Sequence, residues 1–254
     1  MLHQIDTLLP GLTLWTVLAA IFVCFAASTF GGMSGFGAGL IVTLFLTPIV
    51  GAKAVIPMLS VTMLMTNASR VWFLRSSLDL RMALTIAAIA VPMSIAGANV
   101  FVRLDSAVIQ AMLGIVLIVS VPARRLVAAR EMKPGTAGML AIGGTYGFLS
   151  SIIVGAGMLI IPLLMGSGLA GVALLATDAM IATLVSTAKI AAFGTLDALT
   201  LPMLAVAVVM GLAMIPGTWL SAWIVRRTQV RLHTAFIETV IVVGALGLIY
   251  RSVM

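Results

Sequence analysis

The chain has 254 residues, of which 62% are hydrophobic and 8% charged, with a net charge of +7 and a mean hydropathy of +1.26. A soluble domain carries roughly 45–50% apolar and about 25% charged residues, so these few charges cannot cover a water-facing surface. Soluble enzymes, disordered chains and disulfide scaffolds are excluded, and a polytopic membrane protein remains.

In chain order, Met1 to Pro10 hold no Lys or Arg and so lack the basic start of a signal peptide. The first apolar run is therefore expected to be a retained span. Apolar runs lie at 12–30, 39–50, 54–74, 82–102 and 107–123. A basic break follows, with Arg124, Arg125, Arg130, Glu131 and Lys133. A second series runs over 136–153, 157–166, 169–193, 199–225 and 232–250. These runs are apolar all round, as helices in lipid are, and show no alternation of the barrel kind. The basic residues sit in short breaks rather than in a stripe with interleaved aromatics, so nucleic acid is not an expected partner.

The two series align. Gly37-Ala38-Gly39 meets Gly155-Ala156-Gly157 at a shift of 118, and the same shift brings Leu78-Asp79 onto Leu196-Asp197. Arg70 then falls on Ala188, one place from Lys189. The positive-inside rule puts the 124–134 linker and the basic 70–81 and 226–231 loops in the cytoplasm, so equivalent loops fall on opposite faces. An odd number of crossings per repeat gives that result. The expected fold is an all-α polytopic membrane protein of two inverted-topology repeats, each of about five helical segments. Residues 1–123 form the first repeat, 124–134 a basic cytoplasmic linker and 135–254 the second repeat. The second segment of each half spans about twelve residues, roughly 18 Å of helix, against a hydrocarbon core of about 30 Å. Glycines bound it, and Pro48 or Pro162 interrupts or ends it. Short, Gly/Pro-broken segments at matching places in two halves point to a transporter's binding site.

The stretch from Gly31 to Gly39 is the richest in small residues. No strand precedes it and the next carboxylate is Asp79, so it is not a dinucleotide fingerprint. Close helix packing explains such a stretch equally well as an unwound backbone offering N–H groups to an anion. On the second reading Ser34, Gly35 and Gly37 contact substrate, joined from the other half by Ser150, Ser151, Gly155 and Gly157.

Arg70 and Lys189 are cations inside or beside apolar runs, where burial costs about 2.5–3.5 kcal/mol even on the mild insertion scale. Snorkelling to an interface is the structural alternative. The functional reading is a pair of cations facing one anion, with Asn67, three residues before Arg70, adding a neutral donor on the same face. Asp178 lies in the apolar run Ala173 to Ile181 without a nearby opposite charge, and is either a proton-coupling carboxyl or a helix cap beside Thr177. Cys24 reads as a buried small residue, Glu238 as a partner of Arg231 or an interfacial group, and the seventeen methionines as apolar filling. His3 and His233 show no metal spacing.

The glycine-rich break, the short segment ending in proline, and Asn67-Ala68-Ser69-Arg70 together resemble the sulfite exporter TauE/SafE family of membrane proteins. Ser186-Thr187-Ala188-Lys189 followed by Phe193-Gly194 is similar to the matching stretch of its second half. Thr177 and Asp178 depart from the small polar residues expected there. The resemblance covers nearly the whole chain. It implies an integral protein of a bacterial inner membrane that transports, as an exporter, small anions such as sulfite or organosulfonates, without a cofactor. The reading is a secondary carrier working by alternating access. An anion channel is the alternative, and an intramembrane enzyme is disfavoured for want of its motifs. The expected partners are a small anionic substrate and the lipid bilayer, with a homodimer as one possible assembly.

Overall fold

The computed structural model describes residues 14–34, 38–109, 111, 112, 115, 135–225 and 227. Every regular element among the described residues is helical. The first series holds α1 (Leu14–Ser34), α2 (Ala38–Val50), α3 (Ala52–Leu74) and α4 (Leu80–Arg103). The second holds α5 (Thr136–Ser150), α6 (Ile160–Gly166), α7 (Gly171–Thr195) and α8 (Leu201–Val225). Three-residue and four-residue 3-10 turns precede α4 (Arg75–Ser77) and α6 (Ala156–Leu159). The linker at 124–134, the fifth segment of the second half, and most of that of the first lie outside the described residues, as do His3, Arg231, His233 and Glu238.

By length and composition, three helices among the described residues can cross a membrane: Leu80–Arg103, Gly171–Thr195 and Leu201–Ile224. α3 has 23 residues but is less apolar, because Ser60, Thr62, Thr66, Asn67 and Arg70 lie on it, all buried inside the protein. The hydroxyls of Ser60, Thr62 and Thr66 turn back to carbonyls of their own helix, which satisfies them without water. Asp79 caps α4, its side chain accepting from the Met82 N–H at 2.9 Å. The matching Asp197 caps nothing and sits in a turn at φ 54°. Of the short second segments, α2 has the expected length, 13 residues with Pro48 inside it, whereas α6 has only 7 because Ala156–Leu159 forms a 3-10 turn.

The shift of 118 carries α3 onto 170–192, where α7 runs, and α4 onto 198–221, where α8 runs. Packing follows the same exchange. α1 packs on α8 and α5 on α4, α3 meets α8 and α7 meets α4, and α3 and α7 cross each other. The fourth helix of each series thus lies against the other series.

Two apolar clusters result. Cys24, Val42, Met58, Val61 and Met214 belong to one, formed by α1–α3 with α8. The other, with Ile86, Ile160, Leu163 and Ile181, joins α4 to the second series. A third connects the two series through Phe101 and Phe193, whose rings meet edge to face at 5.5 Å. The α4–α5 contact is backbone-close: a Cβ at Gly97 would meet the Phe148 carbonyl, and one at Gly147 the Ala90 carbonyl. On the α1–α8 side, Gly217 lies as closely against Phe25 and Ser28. Small residues allow this approach, which is how helices associate where lipid offers no hydrophobic drive.

Gly147→Leu is expected to separate α5 from α4 and destabilise the protein by about 1–3 kcal/mol, the usual range for overpacking. Thermal unfolding of the detergent-purified protein measures this against Gly135→Ala, where nothing lies within 4 Å of an added Cβ. Equal melting temperatures for the two variants would contradict the α4–α5 packing.

Candidate functional site

A cavity of about 140 Å³ lies where α3 and α7 cross, and residues from both series line it. Its size compares with the roughly 150 Å³ that holds a benzene molecule, so it suits an ion of a few heavy atoms. α3 supplies Asn67 and Arg70, which share a helix face as their spacing requires. α7 supplies Asp178, Ser186 and Lys189. Ser150 ends α5 at its rim, and Gly155 and Gly157 line it from the break that follows.

That break is irregular for a physical reason. Gly155 takes φ +92°, a conformation an L side chain adopts only with strain, and an added Cβ would press on Leu40 of α2. Non-helical backbone at membrane depth is tolerated where protein buries it or where it lines a cavity, and here it does both. The expected half-helix start is a four-residue 3-10 turn followed by the seven-residue α6, too short to carry a helix macrodipole. Positive charge reaches the cavity from side chains instead.

Snorkelling does not account for either cation. Arg70 is 6% exposed and Lys189 9% exposed, and both turn into the cavity. Lys189 Nζ donates to the Ser150 carbonyl oxygen at 2.6 Å, tying α7 to the C-terminal end of α5. This oxygen is one of the four carbonyls an α-helix leaves unpaired at its end, and a cation there also complements the helix dipole. Two of the three ammonium donors remain for another acceptor. Arg70 makes no hydrogen bond or direct ion pair with another described residue, and its electrostatic partner is Asp178. Asp178 is 5% exposed, inside α7 rather than at its start, so it is not a helix cap. Its neighbour Thr177 instead accepts from the Asp79 N–H at 3.1 Å.

Asn67, Tyr146 and Ser186 also line the cavity, buried and without a side-chain hydrogen bond to another described residue. Buried polar groups in proteins are almost always paired, so these three have capacity for a polar partner beyond the described residues. Tyr146 and Ser186 were not among the sequence candidates. Tyr146 is the position that the shift of 118 pairs with Ser28, and both line the cavity, as do Gly39 and Gly157. Applying the shift to every polar residue would have linked Tyr146 to Ser28, although nothing in an isolated tyrosine signals a site.

Ser151 does not line the cavity. It is fully buried away from the cavity, and its hydroxyl donates to the Ser94 carbonyl oxygen at 2.7 Å. One residue along from Ser150, it faces α4 and holds the close α4–α5 contact. Ser34 ends α1, but its side chain lies outside the described residues, as do Gly35 and Gly37.

The family model described as "Sulfite exporter TauE/SafE" matches residues 20–248. The chain belongs to the sulfite exporter TauE/SafE family of membrane transporters. The match spans all eight described helices apart from the start of α1. No curated protein and no solved structure matches the chain. This is an integral membrane protein, and its charged cavity is to be read in that setting.

Ser151→Ala is expected to cost about 1 kcal/mol of stability, the net worth of one buried hydrogen bond, and to leave anion binding at the wild-type level. Thermal unfolding and calorimetric titration on one preparation separate the two effects. Loss of binding at wild-type stability would return Ser151 to the site.

Proposed function

We propose that this family member is a secondary exporter of small anions such as sulfite or organosulfonates, working by alternating access in a bacterial inner membrane. The observation that carries this reading is one cavity lined by Arg70 of α3 and Lys189 of α7, buried cations from both series. A cation buried in a membrane protein is expensive unless something neutralises it, and an oxyanion does so with charge-assisted hydrogen bonds. Arg70 offers a planar fork to two oxygens, Lys189 a point charge, and Asn67 a neutral amide donor. Gly155, Gly157 and Ser150 shape the second wall. On this reading Ser34, Gly35 and Gly37 also contact the anion. Asp178 is the proton-coupling group, an ionisable acid set in electrostatic reach of the substrate-binding cation.

The exchange of packing partners between the two series and the similar lengths of α3 and α7, and of α4 and α8, support an inverted repeat. The loop charge supports it too: Arg75 and Arg81 flank the turn between α3 and α4, whereas the α7–α8 turn holds Asp197 and no cation. Alternating access then amounts to the two repeats exchanging conformations around a central anion.

Arg70→Gln and Lys189→Gln are each expected to weaken anion binding by roughly ten- to hundredfold, the worth of a hydrogen bond to a charged group, while the protein stays folded. Calorimetric titration with sulfite and small sulfonates measures the loss. Normal binding in both variants would overturn the paired-cation site. In proteoliposomes, saturable flux with counterflow is expected, and a single-channel conductance would replace the carrier by a channel. Cysteines placed beside Asp79 and Asp197 are expected to label from opposite membrane faces. Labelling from one face would refute the inversion.

A further inference from the structure

Three charged side chains line the cavity among the described residues, Arg70, Lys189 and Asp178. The 35–37 stretch, Gly-Phe-Gly, adds no charge. Asp178 shares the cavity with Arg70 from α3 and Tyr146 from α5, both within its electrostatic reach. Among the described residues, no other element packed on α7 brings a charge to the cavity. α6 has no titratable residue. Asp79 at the start of α4 gives its carboxylate to the Met82 N–H, and Arg75 of the 3-10 turn stacks on Trp72 at 4.5 Å. Arg81 and Arg103 of α4 are exposed. Lys189 lies on the same helix as Asp178, roughly 16 Å further along its rise, and is held by the Ser150 carbonyl.

With Asp178 ionised, the described side chains that line the cavity therefore carry a net single positive charge. The geometry points to Asp178 as a resident counter-anion that selects substrates by charge. A monoanion binds to the ionised form, and a dianion binds only together with one proton taken up by the Asp178 carboxyl. This rests on the anion-carrier reading above and adds the charge rule to it.

Both complexes are neutral. Two cations balance the Asp178 carboxylate and a monoanion, or they balance a dianion beside the protonated acid. A dianion beside ionised Asp178 would leave an uncompensated negative charge in a low-dielectric site, which such sites do not tolerate. The proton comes from bulk water on the loading side and leaves on the release side, so no other reactant is needed. Asp178 makes no hydrogen bond to another described residue, so no described hydrogen-bond partner fixes either protonation state. The phenol of Tyr146 can donate to the ionised carboxylate or accept from the protonated acid, which suits it to both states.

The test uses the purified full-length protein with sulfate as dianion and methanesulfonate as monoanion, because neither ligand changes its own protonation across the neutral range. Calorimetric titration and a pH-indicator dye read affinity and proton uptake together. Sulfate binding is expected to take up one proton per anion and to weaken roughly tenfold per pH unit wherever Asp178 is ionised in the empty site. Methanesulfonate is expected to take up none, with a much shallower slope. Asp178→Asn should remove the sulfate slope and the proton uptake, and raise the sulfate-to-methanesulfonate affinity ratio at alkaline pH at least tenfold. Sulfate binding without proton uptake in the wild-type protein overturns the charge rule alone, and this needs no variant to fold. An Asp178→Asn protein that keeps the wild-type slope and ratio overturns it as well. A wild-type protein that binds neither anion overturns the carrier reading beneath it.

Discussion

Desolvation of charge organises this molecule. An ionised group held in a membrane protein forfeits its hydration, and only another charge, a set of hydrogen bonds or a ligand replaces it. Arg70, Asp178 and Lys189 meet that condition at one place, the crossing of α3 and α7. Lys189 meets it in part through the free carbonyl at the end of α5, and this bond requires the α5 helix to stop where it does. The irregular segment after Ser150 is therefore coupled to the charged site and is not a separate feature of the fold. Arg70 and Asp178 lean on each other through space, leaving both with capacity for a further partner.

The apolar framework supports this arrangement by close approach. Gly97 and Gly147 on one side and Gly217 on the other bring helix backbones together without intervening side chains. In lipid such contacts come from van der Waals packing and small residues, since burial of apolar surface gives no advantage over the bilayer. The same close contact leaves Ser151 no room to turn toward the cavity. Its hydroxyl instead joins α5 to α4 at the level of Ser94.

Much of this was legible in the sequence because the bilayer imposes simple rules. Run length and apolar character placed the described helices to within a few residues. Arg70, Asp178 and Lys189 stood out because a charge in an apolar run is rare enough to need a cause. Orientation within one helical turn was not legible. Ser150 and Ser151 are adjacent and chemically identical, and only the three-dimensional path of α5 decides which one reaches the cavity. Tyr146 was invisible for a related reason: its relevance comes from the phenol's surroundings, and a tyrosine in an apolar run is ordinary by itself. Asp178 could be read as a helix cap until the span of α7 placed it inside the helix.

One further feature concerns how the protein sits in its bilayer. Arg75 stacks on Trp72 at 4.5 Å at the end of α3, and Arg227 stacks on Trp223 at 4.3 Å just beyond the end of α8. Phe73 shares a crevice with Trp219 and Trp223, so these two helix ends lie on the same side. Tryptophan prefers the headgroup level, and an arginine over its ring reaches water while its stem stays apolar. With both pairs at the headgroup level of one leaflet, the vertical register of α3 and α8 would be set from that side. A change of bilayer thickness would be absorbed at the far leaflet, and the depth of Arg70 beneath the near one would stay constant.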